Sequence, residues 1–301
     1  MIKKILVAVL LFLSLIVKVN TTDKDINILA LGDSITYGYG ISQDKSYSYL
    51  FYDYYKNQYQ DFNFNYINKA VNGFQTSDVI KLLDTQDVKD IITSADIIFI
   101  SIGSNNVLQY LNNQSIINCL SNYNETCQST TSSLITNIDN SISSIKSDIT
   151  TIITNIRKTN NKVMIVVLPY YNPYNNINLN NISFVNTKLD SYKNELNLYL
   201  KDINDSNVIV VTDLVNELES VDNLFLDVNS MNLDPHPNIT GHQVIANTFI
   251  NNQVLTYYFE EMVIGDDISW VILYIIGASI ICISLIILLI VFTKNKNKKV
   301  L

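Results

Sequence analysis

The stretch INILALGDSITYGYG, Ile26–Gly40, ends an apolar run at a glycine, an acid and a hydroxyl. Ser34 in that position is either a helix N-cap, accepting from an orphan backbone N–H, or a nucleophile presented beside such donors. A serine attacks a carbonyl carbon only when a base removes its proton, normally a histidine held by a further acceptor. The chain has two histidines, and both lie in LDPHPNITGHQVIA. Pro235 and Pro237 hold His236 in extended backbone just before a helix, where a base can reach out. His242 falls inside that helix, where a structural role is more natural. Acyl transfer also needs donors aimed at the developing oxyanion. The run AVNG ends at Gly73, whose amide can approach a ligand closely, and GSNN offers the side chain of Asn105. Asn and Gly are equally ordinary turn residues, so neither run decides anything alone.

Position is what joins them. Strand-like runs occur at Ile26–Leu31, Phe64–Asn68, Asp96–Ser101, Lys162–Leu168 and Val208–Leu214. The runs DIIFIS and KVMIVVL are near-continuous and β-branched, as expected for strands covered on both faces. Helices are expected at Ser46–Tyr59, Ser77–Leu83, Thr130–Thr159, Ile182–Lys201 and Gly241–Tyr258. The longest is poor in helix formers, yet Leu134, Ile138, Ile142, Ile145, Ile149, Ile152 and Ile156 recur every three or four residues. That is one apolar stripe, for docking on a sheet or for a coiled-coil seam. Strand–helix alternation implies a parallel, doubly wound α/β sheet, whose ligands bind beyond the carboxyl ends of the strands. Ser34, Gly73 and Asn105 each follow an expected strand, on that edge.

Two apolar segments frame the chain of 301 residues. Lys3 and Lys4 precede an uncharged run, Ile5–Val17, with the proportions of a secretory signal peptide over 1–22, although no small-x-small cleavage site follows. Ile268–Phe292 is uncharged and long enough to cross a bilayer as a helix. Lys294, Lys296, Lys298 and Lys299 follow it, which places the tail, 293–301, in the cytoplasm and residues 23–265 outside. The expectation is a single-pass membrane protein with an extracellular or lumenal domain of about 240 residues, enough for one full core. With 28 acidic and 20 basic residues and no basic run beyond the tail, a nucleic-acid partner is excluded. Cys119 and Cys127 form a close pair suited to a disulfide in an oxidising compartment. Sequons stand at Asn113, Asn124, Asn181, Asn204 and Asn238, in a chain whose Asn, Ser and Thr content also yields such triplets by chance.

GDSITYG, AVNG, GSNN and DPHPN, in this order, resemble the four sequence blocks of the SGNH hydrolases, also called the GDSL lipase/esterase family. The blocks cover nearly the whole of 23–265. The resemblance implies a flavodoxin-like three-layer α/β/α sandwich with a five-stranded parallel sheet, ester hydrolysis, and no cofactor or metal. It makes Ser34 the nucleophile and His236 the base. The amides of Ser34 and Gly73 and the side chain of Asn105 become the oxyanion hole. Two residues depart from the family pattern. Asn106 stands where the third block usually ends in Asp, and the expectation is the loss of a structural hydrogen bond. Leu233 stands three residues before the histidine, where the orienting Asp is usual, so either Asp234 or a backbone carbonyl must orient the ring. The implied substrate is a small-molecule or lipid ester, as for a lipase, esterase or lysophospholipase. Alternatives are an O-acetyl carbohydrate esterase, or a non-catalytic surface receptor or adhesion module on the same fold.

Overall fold

Five short apolar strands lie parallel in the order β2-β1-β3-β4-β5: β1 is Asp25–Gly32, β2 Asn63–Asn68, β3 Ile97–Ser101, β4 Met164–Val167 and β5 Val208–Val210. They belong to a computed structural model that describes residues 25–111, 118–119, 124–125, 127–175, 183–221, 223–228, 233–262 and 277. The signal segment expected at 1–22 and the sequons Asn113 and Asn181 lie outside the described residues. So does the span expected at 268–292, apart from Gly277. Among the described residues no helix is long and apolar enough to cross a membrane. The chain divides into two units, Thr22–Asn252 and a second comprising Met1–Thr21 with Gln253–Leu301. In the second, residues 253–262 and Gly277 are helical.

Within the first unit the helices are α1 Ser34–Tyr37, α2 Tyr47–Gln58, α3 Thr76–Leu83, α4 Gln86–Ser94, α5 Ser104–Leu111, α6 Cys127–Thr159, α7 Ser183–Lys201, α8 Asp213–Ser220 and α9 Ile239–Ile250. A separate antiparallel hairpin pairs β6, Phe225–Val228, with β7, Leu233–Pro237. β3 and β4 are buried at every position, because helices cover both faces of the sheet. Leu29, Leu31, Ile98, Ile100, Ile165 and Val167 share one core with α3, α4, α6 and α7. On the opposite face Phe99 meets Tyr47 and Phe51 of α2 and Phe249 of α9 edge-on or stacked, with centroids 4.9 to 5.8 Å apart.

The stripe from Leu134 to Ile156 is buried at all seven positions, so α6 docks on the sheet layer instead of forming a coiled-coil seam. Burial of that stripe outweighs the weak helix propensity of its Ser, Thr and Asn residues. Cys119 and Cys127 are joined by a disulfide at the entry to α6, with Asn124 exposed between them.

Three expectations change. The run Val208–Leu214 is a strand for three residues only, because Asp213 opens α8 and Leu214 and Leu218 bury one turn apart. The helix expected over Gly241–Tyr258 begins at Ile239, where Asn238 caps it, and ends at Ile250. α4, α5 and the β6–β7 hairpin are additional to the expected elements.

Candidate active site

All five strands run parallel, so the segments after β1, β2, β3 and β4 emerge at one edge, beyond the carboxyl ends. The first of them explains the glycine before the acid. Gly32 has φ +126°, and a Cβ there would lie 1.9 Å from the Ser101 carbonyl oxygen at the end of β3. That same carbonyl accepts the Asp33 N–H at 2.9 Å. Only glycine permits the approach. Asp33, not Ser34, caps α1: its Oδ1 accepts the Ile35 N–H at 3.1 Å and the Ser101 hydroxyl at 2.7 Å. Ser101 Oγ in turn accepts from the Thr36 N–H and hydroxyl, and Tyr47 OH completes the chain to Thr36 at 2.7 Å. The Tyr37 N–H goes to the Asp33 carbonyl. In this turn the Ser34 N–H is the one amide without an acceptor among the described residues.

Ser34 Oγ lies 2.8 Å from His236 Nε2. On the far side of the ring, Nδ1 lies 2.5 Å from Asp234 Oδ1, and the same oxygen accepts the His236 backbone N–H at 3.1 Å. β7 explains how a carboxylate two residues away can reach. In extended backbone residues i and i+2 share a face, so Asp234 and His236 project to the same side. With the Nδ1 proton directed at Asp234, Nε2 is left as the acceptor for the serine hydroxyl. The ring of Tyr39 packs against the imidazole at 4.5 Å.

Asn105 Nδ2 donates one hydrogen to the Phe74 carbonyl at 3.0 Å, which aims the amide and leaves its second hydrogen available. Phe74 follows Gly73 in a turn closed by Phe74 N–H to the Val71 carbonyl, and Gly73 has φ +80°, as the third position of such a turn requires. Beside Ser34, Asn105 and His236 opens a cleft of about 600 Å³, counted out to its mouth. Gly73 is not among its lining residues, although its neighbour Phe74 holds Asn105. The walls are largely aromatic and aliphatic: Tyr170, Tyr171 and Tyr174 after β4, Tyr192 and Leu189 of α7, and Leu108 of α5. Tyr170 OH donates to the Ile102 carbonyl and Tyr192 OH to the Gly103 carbonyl, so the wall braces the segment that carries Asn105.

The GDSL-like lipase/acylhydrolase family matches residues 28–249. The chain belongs to that family. It is 24% identical over 225 residues to the uncharacterized protein YpmR of Bacillus subtilis (strain 168), covering 75% of this chain and 80% of YpmR. Its fold is similar to that of the lipase Lip_vut3 from a goat rumen metagenome, with a TM-score of 0.57 and 18% identity over 74% of this chain and 95% of that one. An extracellular lipase from Streptomyces rimosus gives a TM-score of 0.53 and 16% identity over 75% and 97% of the two chains.

In this GDSL-family chain the Asn106 departure costs no bond. Its Oδ1 accepts the Thr76 N–H and its Nδ2 donates to Thr76 Oγ1, both at 3.1 Å, which ties α5 to α3. An amide supplies both a donor and an acceptor, and Thr76 needs one of each. His242 is fully buried away from the cleft. Its Nδ1 accepts the Tyr47 N–H at 3.2 Å, and burial, with the His236 charge second, pushes its pKa down to about 4. Burial pushes Asp33 up to about 6, against the hydrogen bonds from Ser101 and Ile35, because its Oδ2 is enclosed with no partner. The side chain of Asn238 is engaged at all three of its hydrogen bonds: Oδ1 accepts from Gly241 N–H, and Nδ2 donates to the carbonyls of Asn223 and Phe225. A glycan on Nδ2 would remove one of those bonds, which runs against the sequon expectation there. Sequence reasoning also missed Ser101 and the tyrosine wall. The run LPYYNPY after β4 was the available signal for the wall.

Proposed function

We propose that this protein is a serine ester hydrolase that works through Ser34, His236 and Asp234. One observation carries the reading: Ser34 Oγ, His236 and Asp234 are linked at 2.8 and 2.5 Å at the wall of an apolar cleft. His236 Nε2 takes the hydroxyl proton as Ser34 Oγ bonds to the acyl carbon, and the C–O π pair moves onto the carbonyl oxygen. The Ser34 amide and Asn105 Nδ2, from residues that line the cleft, receive that oxyanion, and the family resemblance adds the Gly73 amide as a third donor. Collapse breaks the ester C–O bond, and the proton on His236 leaves with the alcohol. Water then repeats the sequence on the acyl-enzyme and regenerates Ser34. Asp234 holds the ring and stabilises the imidazolium.

The substrate we favour is a carboxylic ester with an alkyl or aromatic acyl group. The cleft's aromatic and aliphatic lining suits carbons beyond the carbonyl, which an acetyl group does not supply. The framing segments 1–22 and 268–292 and the Cys119–Cys127 bridge support a domain held outside a membrane by one C-terminal helix.

A fluorophosphonate probe and a series of p-nitrophenyl esters from acetyl to octanoyl test the reading. Wild-type protein should be labelled at Ser34 and should turn over the longer esters faster than the acetyl ester. Ser34→Ala and His236→Ala should each abolish turnover, while His242→Ala should not. Undiminished turnover by Ser34→Ala, or a preference for acetylated sugars, would overturn the assignment or its substrate class respectively.

A further inference from the structure

The aromatic wall of the cleft stands on irregular backbone, Leu168–Asn175, which has no regular hydrogen-bonding ladder of its own. What holds it is a row of polar side chains on α7. Asn186, Asp190, Lys193 and Asn197 are spaced four, three and four residues apart, so they form one stripe along the helix. Such a stripe facing the interior is ordinarily apolar. Here Asn197 clamps Tyr170 at both backbone groups, accepting its N–H at 2.8 Å and donating to its carbonyl at 2.7 Å. Asn186 Nδ2 donates to the Tyr174 carbonyl at 3.0 Å.

Asn172, which is 2% exposed, is the centre of the second half of the grip. Its N–H donates to Glu219 Oε1 of α8 at 2.7 Å, its Nδ2 to Asp190 at 3.1 Å, and its Oδ1 accepts the Tyr174 N–H at 3.1 Å. Lys193 neutralises both acids, with its Nζ 2.7 Å from Glu219 and 3.2 Å from Asp190. The Lys193 and Glu219 side chains are only 11% and 12% exposed. Burial would lower the Lys193 pKa, but the bonds to Glu219 and Asp190 outweigh it and raise it. An ion pair this enclosed adds little net stability compared with apolar side chains of the same shape. Its presence needs another reason, and every strand of the network ends on the segment that carries Tyr170, Tyr171 and Tyr174.

We propose that the α7 stripe with Glu219 is a positioning device: it holds the 168–175 segment so that its tyrosines form a ready-made surface for the acyl chain, and it thereby sets affinity for that chain without entering the chemistry. The proposal rests on the reading of the cleft as the acyl site. None of Lys193, Asn197 and Glu219 lines the cleft.

Two double variants of the full chain separate this role from general stability. Lys193→Met with Glu219→Leu removes the Lys193–Glu219 ion pair and leaves the Asn172 N–H without an acceptor. Lys193→Met with Glu219→Gln removes the same ion pair but keeps an acceptor for that N–H, with Asp190 unchanged in both variants. Octanoate binding is measured by calorimetry in a Ser34→Ala background, and p-nitrophenyl octanoate and acetate kinetics are measured with Ser34 intact. The Leu variant should bind octanoate roughly tenfold or more weakly and raise KM for the octanoate ester alike, because one buried donor is left unpaired. Its kcat and its acetate kinetics should stay within about twofold, and the Gln variant should restore binding. Should the Leu variant fail to fold, Asn197→Leu, which releases Tyr170 from the other end, must show the same KM effect. Unchanged octanoate affinity in the Leu variant, equal losses for acetate and octanoate, or no octanoate binding by the Ser34→Ala parent would each overturn the proposal. Octanoate binding without ester turnover by the Ser34-intact protein would instead overturn the hydrolase reading and leave the stripe's role standing.

Discussion

Asp33→Asn should change how the stability of this fold depends on pH, and the size of the change follows from the surroundings of one carboxyl. Asp33 Oδ1 accepts from Ile35 N–H and Ser101 Oγ, while Oδ2 is buried with no partner. Burial raises its pKa from 3.8 to about 6. A folded value above the unfolded one means that the native state holds this proton more tightly. The stability it contributes is therefore fully present below pH 3.8 and is lost as pH rises through 6. Each pH unit between the two values corresponds to about 1.36 kcal/mol, so the loss is about 3 kcal/mol. Asparagine has the same shape, keeps both Oδ1 bonds and carries no charge. Part of that loss has already occurred at pH 4, so the stability of Asp33→Asn relative to wild type should improve by about 2 kcal/mol between pH 4 and pH 7.5. His242 has the opposite sign. Its pKa falls from 6.5 to about 4, so its contribution is present above pH 6.5 and is lost as pH falls through 4. The two groups offset one another in wild type and do not in the variant, which should weaken steeply in acid. Urea unfolding followed by circular dichroism at pH 4, 5, 6 and 7.5, at constant ionic strength, reads the difference. A gap between variant and wild type that stays constant across that range would refute the reasoning, since Asp33 would then be ionised throughout.

Asp234→Asn should lower kcat by up to about 10⁴-fold with KM little changed, because the amide favours the wrong tautomer of His236, and steady-state kinetics check it. Asn105→Ala should lower kcat roughly 10²- to 10³-fold, the cost of one oxyanion donor; an effect confined to KM would make Asn105 a binding residue. Glycopeptide mass spectrometry of protein from a glycosylating host should find Asn238 unmodified, since its amide is spent on capping α9 and holding β6.

Much of the site could be read in the chain because the chemistry left few choices. Two histidines, one of them between prolines, narrowed the candidate base to His236, and the apolar runs before Gly32 and Gly103 marked strands buried on both faces. The α6 stripe was equally legible, since helical periodicity survives poor propensity when one face is buried. Contacts between distant segments were not legible. Whether Asp234 reaches His236 depends on β7 being extended, and that depends on its pairing with β6. Asn106 keeps its bonds because α5 lies against Thr76 of α3. The polar stripe on α7 reads locally as a solvated face, and only the packing of 168–175 and α8 against it turns those residues inward. Local periodicity records which side of an element is apolar. It carries no record of which distant backbone group will stand opposite a given side chain, and in this fold that choice belongs to the sheet order and the helix packing around it.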